Sequence, residues 1–94
     1  MPLSPLLQDV PTNEPVKVRE PVRVAVDFQG EKIRPLAFVW HGRKYTVKRV
    51  SMVYKRQHGT GFWWCFAVSD EANSFILLYD PIKMSWVLEE VYAL

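Results

Sequence analysis

The stretch that decides the fold is Leu36-Ala37-Phe38-Val39-Trp40-His41-Gly42-Arg43-Lys44-Tyr45-Thr46-Val47. Its first five residues form an apolar, β-branched and aromatic run. Beyond a polar break, Tyr45 and Val47 alternate with Lys44 and Thr46. A two-residue repeat belongs to an extended strand, whose successive side chains point to opposite faces. Between the runs, His41-Gly42-Arg43 predicts a tight hairpin, with Gly42 supplying the positive φ that a short reversal needs.

Working towards the N-terminus, Val22, Val24, Val26 and Phe28 alternate with Arg23, Ala25 and Asp27, a half-buried strand closed by the turn Gln29-Gly30-Glu31-Lys32. Further upstream the character changes. Pro2, Pro5, Pro11, Pro15 and Pro21 are five of the seven prolines, and no aromatic residue precedes Phe28. Proline removes a backbone donor and biases its neighbour to extended backbone, so residues 1–19 read as a flexible, extended, Pro-rich arm and 20–94 as the β domain.

Working towards the C-terminus, Lys44 to Arg56 reads as one long third strand with an internal conflict. Tyr45 and Val47 share one face, whereas Val50, Met52 and Tyr54 have the other parity. A bulge or sharp bend near Lys48-Arg49 would reconcile them, because one extra residue flips the alternation. After the polar, glycine-rich Gln57–Gly61 connection, Phe62 to Val68 is apolar on both parities and reads as a central, covered strand. Phe75 to Tyr79 is a fifth strand, stopped by Asp80-Pro81. Trp86 to Tyr92 is a sixth, with one helical turn as the alternative. The class is therefore all-β: a single small antiparallel six-stranded sheet, strongly bent or curled into a partly open barrel, with an extended N-terminal arm. Val24, Val26, Phe38, Trp40, Tyr45, Val47, Phe66, Leu77 and Leu88 are the expected core, and Pro35, Trp40 and Gly42 the expected structural anchors.

Length and composition narrow the function. The chain has 94 residues, 14% of them aromatic. That is one small domain, in which large rings supply much of the buried area. No apolar run approaches the ~20 residues of a membrane span. No basic region followed by an apolar core reads as a secretory signal. The expected location is cytoplasmic, with no membrane partner. A single cysteine, Cys65, forms no internal disulfide and no cysteine-based zinc site.

The segment Arg34-Pro35-x-x-Phe38-x-Trp40-x-Gly42-Arg43-x-Tyr45-x-Val47 resembles the opening of a small uncharacterised bacterial all-β domain family. Trp63-Trp64, Leu78-Tyr79-Asp80 and Trp86-Val87-Leu88 resemble its later segments, so the likeness spans roughly Val22 to Tyr92. Members of that family stand alone or at the C-terminus of proteins similar to Y-family translesion polymerases. The resemblance implies an accessory role near DNA repair, with a DNA-repair protein as a partner. It implies no activity and no site residues.

Read for chemistry, the residues favour binding over catalysis. No serine or cysteine sits in a glycine-flanked nucleophile elbow. The two isolated histidines, His41 and His58, make no metal set, and Gly59-Thr60-Gly61 lacks the lysine and helix of a phosphate loop. No cofactor is expected. The positive signal is charge. From Glu31 to His58 eight basic residues face one acid, about +7, whereas Gly59 to Leu94 carries about −4. Single-stranded nucleic acid is held by rings within a positive groove. That pattern selects Arg43, Lys44, Lys48, Arg49, Tyr54, Lys55, Arg56 and Trp63. The resulting expectation is a non-enzymatic accessory module for single-stranded nucleic acid. The alternative is a protein-interaction module using the arm or an edge strand, a homodimer included.

Overall fold

A computed structural model describes residues 15–93. Seven strands follow one another: β1 (Val16–Gln29), β2 (Lys32–Trp40), β3 (Arg43–Thr46), β4 (Arg49–His58), β5 (Gly61–Ser69), β6 (Asn73–Asp80) and β7 (Ser85–Ala93). All pair antiparallel in one sheet of order β3-β2-β1-β7-β6-β5-β4. The all-β class and the single antiparallel sheet match the sequence reading. The strand count does not, being seven rather than six, and the sheet is not closed into a barrel.

The additional strand comes from the Lys44–Arg56 stretch. β3 ends at Thr46. The Val47 amide still donates to Leu36 O of β2 (2.9 Å), but the Lys48 amide donates to Ser69 O of β5 (2.8 Å). Within two residues the chain crosses from one edge of the sheet to the other, which only a strongly curled sheet allows. A second irregularity follows at once. The β4–β5 register shifts between Val50 and Met52, leaving Ser51 as the extra residue, with its hydroxyl donating to Ala67 O (3.1 Å). The two breaks together resolve the parity conflict. Val50 lies opposite the buried Val68 and Val53 opposite the buried Phe66, so Met52 and Tyr54 turn outward.

β1 carries the bend. Its first part, Val16 to Val22, pairs with β7, and its second, Arg23 to Gln29, pairs with β2. Residues 16–19 therefore belong to the sheet rather than to an arm. Val16 and Val18 pack on the core, and the Lys17 ammonium pairs with the Glu90 carboxylate. The rest of the expected arm, 1–14, lies outside the described residues. Residues 86–92 are strand, settling that choice against a helical turn.

The core fills the inside of the curl. Phe38, Trp40, Tyr45, Phe66, Leu77 and Leu88 are buried, and Val24, Val26 and Val47 pack partly buried against them. None of the nine expected core residues is exposed. Phe38 stacks on Tyr45 at 5.1 Å, and Phe75 meets both edge-on, at 4.9 and 5.4 Å. Such offset and edge-on pairs add to the area that rings bury. Pro35 is fully buried. The β2–β3 hairpin turns on two residues, His41 at φ 52° and Gly42 at φ 74°. Two successive positive φ values are the turn whose twist suits a two-residue hairpin.

Candidate nucleic-acid interface

Among the described residues β4 is an edge strand, bonded to β5 alone, and all its residues except Val50 are exposed. Directly opposed residues of an antiparallel pair share a face. Arg49 opposite Ser69, Met52 opposite Ala67, Tyr54 opposite Cys65 and Arg56 opposite Trp63 therefore form one outer strip along the β4–β5 hairpin. Tyr54 is 38% exposed and stands directly opposite the buried Cys65. Burial raises the Tyr54 pKa, and a neighbouring Cys65 charge would add to this. Burial likewise pushes the Cys65 thiol up, with Arg56 and the Tyr54 hydroxyl opposing. A thiol held protonated in this way is a poor nucleophile. Further along, the Arg56 guanidinium lies over the Trp63 ring at 5.8 Å and the His58 ring stacks on it at 3.9 Å.

Two adjacent irregularities complete the strip. β7 carries an extra residue, Glu89, between its pairings with Ile76 and Leu77 of β6. β1 shifts register between Lys17 and Glu20, and there Arg19 adopts φ 54°. Positive φ is uncommon for a residue with a long side chain. Bulges re-aim side chains, and this pair brings Arg19 Nε to 3.3 Å from Glu89 Oε1. Arg56 Nη2 lies 3.7 Å from Glu89 Oε2. The Glu89 side chain is only 7% exposed, whereas those of Arg19 and Arg56 are 68% and 43% exposed. A buried carboxylate needs charged partners. Here it holds two guanidiniums whose remaining donors face solvent across a pocket of about 410 Å³, walled by His58, Trp63 and Val87.

The eight residues selected from the sequence are not gathered on one surface. Arg49, Tyr54, Arg56 and Trp63 share the outer strip. Lys55 has the opposite parity, with its ammonium 4.8 Å from the Phe62 ring and 5.1 Å from the Trp64 ring. Lys48 and Arg49 line a cleft with Lys32 and Arg34 of β2. Arg43 and Lys44 lie on β3, at the opposite edge of the sheet order; Lys44 faces outward beside Arg23, and Arg43 stands opposite the buried Trp40. The sequence reading missed Arg19 and Glu89. A signal for Glu89 was present. Trp86 and Leu88 share one parity and Val91 has the other, the same kind of break that marked the β3–β4 region.

Among the described residues, no three His, Cys, Asp or Glu side chains converge as metal ligands would. Comparison with protein-family models, with curated proteins and with solved structures finds no match.

Proposed function

We propose that the chain is a non-enzymatic binding module for single-stranded nucleic acid, which lies along the outer strip of β4 and β5. The observation that carries this reading is the sharing of one face by Arg49, Tyr54, Arg56 and Trp63. Guanidiniums answer phosphates, and rings answer the π-face of any base. Arg19, fixed beside Arg56 by Glu89, extends the positive run at one end. An accessory place in DNA repair, which the family resemblance implied, is consistent with such a module.

A fluorescently labelled thymidine oligonucleotide titrated at two salt concentrations tests the reading. Contacts from Arg19, Arg49 and Arg56 give a log–log salt slope of about −2, at ~0.7 per neutralised phosphate on a single strand. Tyr54→Ala weakens binding by about 1–3 kcal/mol, whereas Tyr54→Phe, which keeps the ring, binds as the parent does. A chain that shows no binding at low salt, or whose Tyr54→Ala variant binds unchanged, is not such a module.

A further inference from the structure

β3 covers only Ala37 to Trp40 of β2, so beyond Leu36 the Lys32–Pro35 half of β2 has no neighbour on that side among the described residues. Among the described residues β4 likewise has none on its side away from β5. These two open edges face each other across the break in the curled sheet. Residues from both strands line the space between them. One part, of about 490 Å³, has Ile33, Val53, Trp64 and Phe66 as an apolar floor, with Glu31 at its rim. The adjoining part, of about 610 Å³, is lined by Lys32, Arg34, Lys48 and Arg49 and, among the described residues, by no carboxylate. No ion pair links any of these four cations to an acid among the described residues.

We propose that this cleft docks an extended acidic segment of a partner protein, which enters as an additional strand between β2 and β4. Three features select that occupant. The open edge of β4 presents alternating N–H and C=O groups, and that of β2 does so as far as Pro35, which supplies a carbonyl alone; an extended peptide answers both kinds of group and a phosphodiester chain does not. The floor takes apolar side chains at every second position of such a strand, since alternate residues share a face. The four cations call for carboxylates on the intervening positions. The partner segment is therefore short and extended, with apolar and acidic residues alternating. Apart from Arg49, which borders both, the cleft and the outer strip are lined by different residues, so the module would hold nucleic acid on one surface and a partner protein on the adjoining one.

The test uses the full chain and a labelled octapeptide of alternating glutamate and valine, followed by fluorescence anisotropy and by amide hydrogen exchange. Expected are saturable binding and slower exchange, by about tenfold or more, of the open-edge amides of β2 and β4. A lysine–valine octapeptide and a glutamate–valine octapeptide with a central proline are both expected to fail, the first by charge and the second by loss of a ladder donor. The double variant Lys32→Glu/Arg34→Glu, which changes two exposed side chains, loses about tenfold or more in affinity. Tyr54→Ala leaves peptide binding unchanged, which separates this site from the nucleic-acid strip.

Four results overturn the proposal. One is absence of peptide binding at low salt, and another is undiminished binding of the proline peptide, which would reduce the contact to charge alone. A third is edge protection that appears without peptide, whether it grows with protein concentration, marking a second copy, or vanishes on removal of residues 1–14, marking the chain's own segment. The last is loss of oligonucleotide binding in Lys32→Glu/Arg34→Glu but not in Tyr54→Ala, which would assign the cleft to nucleic acid.

Discussion

At Gly42, φ is 74° and a Cβ would meet no atom within 4 Å. The cost of any side chain there is thus conformational rather than steric, and substitutions should rank by their tolerance of positive φ. Gly42→Asn is expected to be mild, Gly42→Ala intermediate, and Gly42→Val to lower stability by about 1–3 kcal/mol. Urea midpoints of the three variants check the order, and equal midpoints for asparagine and valine would contradict it. Cys65 gives a second test. Burial first, and a nearby Glu89 charge last, hold its pKa above that of a free thiol, despite Arg56 and the Tyr54 hydroxyl. The unfolded thiol ionises near pH 8.5 while the folded one stays protonated, so the unfolded state binds fewer protons and stability falls as pH rises above about 8.5. Stability measured from pH 7 to 10 should show this decline, and Cys65→Ala should flatten it. What the sequence made legible at this scale were residues whose role is local. Gly42 was one, and Phe38 and Trp40 followed from simple alternation. Arg19 was not legible, because its positive φ arises from a bulge opposite a strand some seventy positions away.

Among the elements, β6 and β4 are opposites. β6 is paired on both sides, and most of its residues are buried. β4 is paired on one side and exposed along nearly its whole length. Opening free energies follow burial and pairing, so β6 amides should exchange slowest and β4 amides among the fastest of the strands. Hydrogen exchange of the free chain checks this, and comparable protection of both would show an occupied β4 edge. Lys48, Arg49, Lys55 and Arg56, on and beside this edge, also discourage open strands from pairing with one another. Strand existence was legible wherever two-residue alternation ran unbroken, as in Val22–Phe28. The sequence reading failed where alternation broke. The jump in parity between Val47 and Val50 showed that something interrupts the strand. It could not show that the interruption sends the chain to the opposite edge, because the hydrogen bonds to Leu36 and Ser69 that anchor Val47 and Lys48 are tertiary.

For the whole molecule, the candidate site was only half legible for the same reason. Arg49, Tyr54, Arg56 and Trp63 meet because β4 and β5 are neighbours in the chain, and a hairpin keeps sequence neighbours together. Arg43 and Lys44 sit close to Lys48 in sequence yet stand at the other edge of the sheet order. That arrangement has a consequence for how the chain finds its fold. Every strand pair but one is formed by consecutive strands; the exception is β1 with β7, which brings Val16 against Val91. The two strands at the sheet's edges, β3 and β4, are themselves consecutive and do not pair. Joining residue 93 to residue 15 through a short glycine linker, and opening the chain between Val47 and Lys48, would give the order β4-β5-β6-β7-β1-β2-β3. Each strand would then pair only with the next, an uninterrupted meander. The long loop that must now close before β1 can meet β7 would become a short connection. Such a circular permutant is expected to fold faster than the parent in stopped-flow refolding, because closure entropy and contact order both fall. It should also unfold faster, since the covalent tie between the two edges would be cut while every ladder stayed in place.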